Sequence, residues 1–576
     1  MKNIFKYFAL AFVAFGFASC VQDLNTSPID KNSTTGFNQD ALFTKIYATL
    51  GTTGQTGAAG SGDVDDIDEG WSGLFRVSWV LNEFPTDEGW WIWNDVGVDQ
   101  TRVMGWDGEN ALIKCLYFRC MIDAKYCNHF LAYADSTHQK DLEQRAEVRF
   151  IRALNYWYLL DMFKFAPYMV KESTDPTNYP IFLSRTELYD WLEKELLDLT
   201  TVLPANRLGK YRVDQTAAWL LLARLYLNSG VYKGLEKPTD EDLVKARNAA
   251  DMAINSNYQL FTESVTNKDG LIYTAYQQLF MGDNDRLVTA SGKPGPSQEA
   301  VLLVYQDGQY CRSYGGVQYV IAATRDGGMI PWGIGENWKC FRTSPEMVYK
   351  FFPDKTEAST IKADEYHMPA LANDDRAILC SYVEGNPNKW KLSGGMAADF
   401  YASWGCPKFT AVYSTSDSLT HILNSDASWP DTDIPLMRIA EAYMTKAEAM
   451  YRLGDKTSAM DIINNNIRAR AHAAKLTEIS DEILCDEWCR EFWGEGRRRI
   501  DLIRFNRFAG PQADKAGYAW EGRAGGSAYK SMDEKFNWFP VPSDDKRTNP
   551  NFKKQVIDNP ENPYAGQGGD GYTFAN

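Results

Sequence analysis

The chain has 576 residues, 44% of them hydrophobic and 14% aromatic, with 18 Trp and 31 Tyr, and its formal net charge is −16. That charge repels phosphate backbones, and no basic stripe or nucleic-acid module offsets it, so nucleic acid is excluded as a partner. The aromatic content exceeds what a core ordinarily uses, which puts some rings on the surface, and no Pro/Ser-rich linker or charge block divides the body of the chain.

The N-terminus opens with Lys2 and Lys6 around an apolar run through Phe8, Leu10, Phe12, Val13, Phe15 and Phe17, closing on Ala18-Ser19-Cys20. Such a run is too short to span a bilayer and reads as a secretory signal peptide over 1–19. A Cys directly after two small residues suits lipoprotein processing, with cleavage before Cys20 and acylation of its thiol and new amine; the alternative is an ordinary signal peptide with a chance Cys. Acylation there anchors the mature protein to a membrane, since each buried CH₂ contributes ~0.8 kcal/mol. Residues 20–40, with Asn25-Thr26-Ser27-Pro28 and Asn32-Ser33-Thr34-Thr35-Gly36, are polar and turn-forming and suit a flexible tether. A single domain over 41–576 follows, in an N-terminal part to about 260 and a C-terminal part beyond it.

Helical spacing is clear in four places. Between Arg145 and Phe163, Ala146, Phe150, Leu154 and Trp157 form one apolar stripe. Asp190 to Leu199 repeats the pattern more weakly, and Asp214 to Asn228 starts on a capping residue and stops at Gly230. Leu436 to Leu453 ends at Gly454 and is followed by a second helix through Ala459, Ile462, Ile463 and Ile467, with Ala440, Ala447 and Ala449 where two helices can approach closely. These pairs resemble tetratricopeptide hairpins, although the regular period of about 34 residues is absent. From the 260s to 430 Gly, Pro, Asn and Asp rise, and Ala300 to Tyr305 reads as a strand. The fold class is therefore mainly α, a helical scaffold carrying a loop-rich face with short strands.

Without Cys20 the ten cysteines leave nine, an odd number with no CxxC pair, so no disulfide framework is expected. Cys115, Cys120, Cys127, Cys485 and Cys489 read as buried thiols, and His129, His138, His367, His421 and His472 form no metal motif. Trp90-Trp91-Ile92-Trp93 stands out. Sugars offer flat patches of C–H bonds and a rim of hydroxyls, which exposed rings and planar polar groups hold. In an extended segment Trp91 and Trp93 share one face and Trp90 takes the other; whether these rings are platform or core stays open at this point.

Several segments resemble the SusD/RagB family of outer-membrane lipoproteins. They are Glu147-Val148-Arg149-Phe150-Ile151-Arg152-Ala153; Ala217-Ala218-Trp219 with Leu222-Ala223-Arg224-Leu225-Tyr226-Leu227; Asp433-Ile434-Pro435-Leu436 with Arg438-Ile439-Ala440-Glu441 and Ala447-Glu448-Ala449; Arg490-Glu491-Phe492 with Glu495-Gly496-Arg497-Arg498 and Asp501-Leu502; and Phe539-Pro540-Val541-Pro542 with Asn549-Pro550. Each is weak alone, and their common order makes the resemblance specific. Asp68-Glu69-Gly70, Pro85-Thr86-Asp87-Glu88, Asp283-Asn284-Asp285, Tyr314-Gly315-Gly316 and Trp429-Pro430-Asp431-Thr432-Asp433 look most like its starch-binding members.

The resemblance implies an α-helical fold with four tetratricopeptide-like hairpins and a non-catalytic shallow site for α-glucan or maltooligosaccharide. It also implies a SusC-like TonB-dependent outer-membrane transporter as partner, and a location at the cell surface. It assigns Trp93, Tyr314 and Trp338 to an aromatic arc, Asp68 and Arg76 to sugar hydroxyls, and Trp91 to the lining of the site. One departure is Val96, where the family pattern has an Asn; either Asn94 or Asp95 substitutes or the site is altered. Asp285, Asp431 and Asp433 match positions of a structural calcium ion; alternating carboxylates suit Ca²⁺, and they equally suit metal-free turns. No nucleophile elbow, metalloprotease helix, P-loop or complete dinucleotide fingerprint is present, so a glycoside hydrolase with two facing carboxylates is the rival class, and RagB-like capture of peptides or of another glycan is a third reading.

Overall fold

The structure, a computed structural model, describes residues 37–54, 62–64, 69–173, 175–209, 211–383, 392, 403–516 and 532–564. The expected signal peptide, Cys20, most of the expected tether and Asp68 lie outside the described residues. Among those described, no helix is long and apolar enough to cross a membrane.

The helices begin earlier than the tether boundary implied. α1 (Gln39–Ala48) is capped by Asn38, and Phe37 sets its ring against His129, Phe130 and Tyr133. α2 (Leu74–Glu83) is buried along its whole length. α3 (Ala111–Tyr133), α4 (Gln139–Met162), α5 (Arg185–Val202), α6 (Gln215–Leu227) and α7 (Asp240–Ile254) follow. Their starts are written in the sequence: Asn110, Asp214 and Thr239 accept from first-turn N–H groups, and Ser184 with Glu187 forms a reciprocal capping box. α8 (Val317–Ala323), α9 (Ala440–Arg452), α10 (Lys456–Ile462), α11 (Asp481–Phe492) and α12 (Arg498–Arg504) complete the principal helices.

The long helices pack in series, α3 on α4, α4 on α5, α5 on α6 and α6 on α7; the series then jumps to α9, which packs on α7 and on α10. This is the nearest-neighbour stacking of helix-hairpin repeats. Ala246, Ala250 and Ala253 of α7 and Ala440, Ala447 and Ala449 of α9 are fully buried, small enough to let two helices approach closely.

The stretch between α7 and α9 holds the loop-rich face. Among the described residues eight short strands pair as four antiparallel two-stranded ladders: β1 (Gly89–Trp91) with β7 (Phe341–Thr343), β2 (Phe165–Tyr168) with β3 (Ile181–Ser184), β4 (Val265–Thr266) with β5 (Ile272–Tyr273), and β6 (Ala300–Val304) with β8 (Ile434–Arg438). β6 is the strand expected at 300–305. β8 corrects the expected helix from Leu436: pairing with wholly buried β6 and the Pro at 435 hold that stretch extended, and α9 starts only at Ala440. The nine described cysteines are free, and all but Cys311 are buried.

Charge is buried in quantity. Arg438 bonds Glu299 at 2.6 Å, Glu495 at 2.7 Å and Glu491 at 3.1 Å; Arg470 reaches Glu299 at 2.8 Å and also Glu491. Arg376 joins Asp374 to Glu487 of α11, Arg504 joins Glu448 to Asp501, Arg224 meets Glu441, and Arg498 meets Asp87. Most of these are residues of the motif segments.

Burial alone would raise the Glu487 carboxyl, but Arg376, Arg490 and Arg468 pull it down to about 2 from 4.5. A depressed carboxyl stabilises the fold above its unfolded value and loses that contribution as pH falls through the folded one. Glu487 is therefore expected to contribute about 3 kcal/mol at neutral pH, declining as pH falls from 4.5 towards 2. Urea unfolding of the wild type and Glu487→Gln at several pH values checks this: the variant should be destabilised by roughly 3–5 kcal/mol at pH ~7, with the gap closing in acid.

Candidate functional site

The Trp90–Trp93 segment divides by burial. β1 is laid against β7 with Trp91 opposite Phe341, and Ile92 N–H continues the pairing to the Cys340 carbonyl at 2.9 Å. Trp90 is buried with the Arg342 guanidinium 5.5 Å from its ring. Trp91 is also buried, its ring stacked on Phe84 at 5.2 Å and on Tyr319 at 5.5 Å, and its indole N–H donates to Asp95 Oδ2 at 2.9 Å. Beyond the strand the chain reaches the surface, and Trp93 is 43% exposed. The Trp91 and Trp93 rings touch at 5.9 Å, as alternation requires, yet only Trp93 is a surface ring and Trp91 is its floor.

Two more expected rings join it. Trp338 lies 6.4 Å from Trp93, turned by 31°, and Tyr314 lies 6.3 Å from Trp338, turned by 36°. Both are half-buried. The end of α8 aims Trp338, because its carbonyls at Ala322 and Ala323 accept from the N–H groups of Trp338 and Cys340 at 2.7 and 3.0 Å. Lys339 between them takes a left-handed φ of 56°, so that adjacent N–H groups serve one helix end.

Arg76, expected at sugar hydroxyls, is mostly buried beside the arc. Its guanidinium sits 4.1 Å from the Trp71 ring and 3.9 Å from the Tyr319 ring, and Nη1 donates to the Tyr314 carbonyl at 3.2 Å. A cation held between two ring faces in a desolvated site is strongly attracted, by up to about 2 kcal/mol. Burial pushes the Tyr319 phenol well above its ordinary value, so it stays a neutral ring. Asp68 lies outside the described residues. Val96 is 79% exposed and offers no polar atom; of its two candidate substitutes, Asp95 is engaged by the Trp91 indole and Asn94 presents an exposed amide.

A fourth ring escaped the sequence reading. Trp429, half-buried, stands 4.8 Å from Tyr314 at 62°, edge to face. Its Trp-Pro-Asp-Thr-Asp context drew attention to the acids only.

Those acids are split. Asp433 is buried and accepts Gln306 N–H at 2.6 Å; burial, then the charges of Asp285 and Asp431, push its carboxyl well above the usual range. Tyr211 donates to Asp285 at 3.1 Å and is itself pushed up, first by burial and then by Asp433 and Asp285. A cation would relieve the Asp285–Asp433 pair. Asp431 fits that role poorly: Gly308 N–H, Ser425 N–H and O–H, and Tyr413 O–H all donate to its two oxygens, as in a metal-free turn. Among the described residues the one trio whose ligand atoms lie within 4.8 Å of one another is Asp135, His138 and Asp141 at the exposed start of α4, where a turn brings His138 to two acids that its sequence spacing did not suggest.

Sequence comparison matches residues 309–566 to the SusD family. The starch-binding protein SusD of Bacteroides thetaiotaomicron is 35% identical over 582 aligned residues, covering 96% of this chain and 98% of that protein. Among solved structures, a SusD-like carbohydrate-binding protein of Bacteroides fragilis superposes with a TM-score of 0.62 at 16% identity, over 89% of this chain and 98% of that one. A laminarin-binding SusD-like protein gives 0.59 at 17% identity, over 91% and 98%. The two structures carry the fold.

The arc depends on one close backbone approach. A Cβ on Gly73 would lie 2.5 Å from the Gly315 Cα, and one on Gly315 2.7 Å from the Gly73 Cα, so neither glycine has room for a side chain. Gly73→Ala is expected to destabilise by roughly 1–3 kcal/mol and to displace Tyr314. Urea unfolding and near-ultraviolet circular dichroism of the aromatic cluster read both effects.

Proposed function

The chain belongs to the SusD family, and on that premise we propose that it binds a starch-like α-1,4-glucan without cutting it and passes it to a TonB-dependent outer-membrane transporter. The observation that carries this reading is the succession Trp93, Trp338, Tyr314, three partly exposed rings about one ring-width apart, each turned by 31° or 36° from the last. A helical α-glucan presents a curved apolar edge that can follow such a surface, whereas a straight β-1,4-glucan touches only part of it. The 35% identity to a starch-binding protein supports the same ligand class. A shallow platform desolvates little of its ligand, so affinity on the order of 10 µM to 1 mM is expected.

A binder rather than a hydrolase fits the carboxyls. Glu83 and Glu88, both pushed up by burial, Glu83 further by the Glu88 charge, are the kind of pair acid catalysis uses, but both are buried, Glu88 accepting the Gly494 N–H and Glu83 the Gly496 N–H. In this reading acylated Cys20 holds the protein at the outer membrane and the loop face meets the glucan. A calcium ion held by Asp285 and Asp433 would supply structure alone, neutralising the carboxylates between the segments that end at β6 and β8.

Calorimetry of the protein lacking residues 1–20 tests the function, with maltoheptaose, a cyclodextrin and cellohexaose as ligands and released sugar assayed in the same mixtures. Binding to the two α-glucans only, with no hydrolysis and with most binding lost in Trp93→Ala and in Trp338→Ala, is the expected result; unchanged affinity in both variants overturns the site. For calcium, millimolar Ca²⁺ should raise the thermal midpoint of the chelator-treated protein by about 3 °C and leave Asp433→Asn unmoved. An equal response in both proteins removes that ion.

A further inference from the structure

We infer that Trp429 is a fourth sugar-contacting ring, forming with the Arg312–Asp426 pair a further subsite beyond Tyr314 that recognises longer, curved α-glucans. The inference rests on the glucan reading above and adds where the ligand goes after the third ring.

The rings do not continue as a flat floor. From Trp93 to Trp338 the planes turn by 31° and from Trp338 to Tyr314 by 36°, and at Trp429 by 62°, with centroids closing to 4.8 Å. Trp429 therefore stands as a wall at one end of the platform. A chain that keeps straight past Tyr314 runs into it or leaves the surface. A chain that curls can set the next sugar's C–H face against the indole.

The wall is fixed before any ligand arrives. Asp426 Oδ1 accepts the N–H groups of Ser428 and Trp429 at 2.8 and 3.2 Å, and Asn424 Nδ2 donates to the Trp429 carbonyl at 2.8 Å. Gly335 N–H donates to Ala427 O at 2.7 Å, which ties this turn to the segment carrying Trp338. On its other side Gly308 packs so closely that a Cβ there would lie 2.5 Å from the Trp429 carbonyl. A ring already held in place loses little freedom on binding, which is what a weak stacking site needs.

Polar groups stand beside it. Asp426 Oδ2 accepts from Arg312 Nη2 at 2.7 Å, and the Arg312 side chain, 42% exposed, is braced by Nε donating to Gly308 O at 2.6 Å. Asp426 links this exposed planar guanidinium to the turn that carries Trp429, and a guanidinium offers the planar donors that hold sugar hydroxyls. Asp426 is thus a positioning residue for both the ring and the guanidinium.

Calorimetric titration of Trp429→Ala and Trp429→Phe with maltotriose and maltoheptaose, beside the wild type and Trp338→Ala, tests this. Trp429→Ala should weaken maltoheptaose roughly five- to tenfold and maltotriose by less than about twofold, and Trp429→Phe should restore most of the loss. A ring that merely packs against Tyr314 would weaken both ligands alike, and that result overturns the inference. So does unchanged maltoheptaose affinity in Trp429→Ala while Trp338→Ala abolishes binding, an outcome that leaves the proposed function standing. A wild type that binds neither ligand removes the glucan reading and this inference together.

Discussion

The rest of the molecule depends on a lattice of buried arginines and carboxylates centred on Arg438 and Glu491. A charge taken out of water is tolerated only with partners on every side, and removing one member leaves the others uncompensated. Here Glu299, just before β6, and Arg438, at the end of β8, meet Glu491 of α11 and Arg470. The strands that begin and end the site-bearing stretch are thereby bolted to the helical stack. The Gly494 and Gly496 backbone extends the lattice to Glu88 and Glu83, next to the strand that delivers Trp91 and Trp93. Position at the surface is set by charge pairing in the interior.

Above that base lies an aromatic layer that is core on one side and surface on the other. Trp91, Tyr319 and Trp71 are buried, with Arg76 clamped between two of them; Trp93 rests on Trp91, Trp338 on Tyr319, and Tyr314 against Trp338. Such a stack transmits the rigidity of close packing to the exposed rings. The cost is adaptability, and the shape the platform accepts is the shape it already has.

Much of this was legible in the sequence, for reasons that differ by residue. The cap at Asp214 and the stripe on α4 are local signals, so those helices stood out, whereas the caps at Ser184 and Thr239, equally local, went unread. The charged motif residues could be listed, but their partnership is non-local and no spacing discloses that Arg438 meets Glu299. The absent tetratricopeptide period has a physical cause, because one helix pair is α7 with α9 and the loop-rich stretch is inserted between its members. Alternation gave Trp91 and Trp93 a common face without saying which one reaches water. Arg76 was expected to face sugar and is held by rings that are distant in sequence. Trp429 was hidden for a related reason, since what brings it to the arc is its contact with Tyr314, carried by another loop.

The split pair α7 and α9 also bears on how the chain is made. α7 can pack on α6 as soon as it emerges, yet its second partner, α9, does not follow until the whole stretch from Ser256 to Ile439 has been produced. Until then the face it turns to α9 has no cover. Contacts of such long sequence separation slow folding and prolong the life of sticky intermediates. The maturing chain therefore carries an incomplete helix pair through the middle of its biogenesis, an interval in which a holding chaperone can act before Ala440 appears.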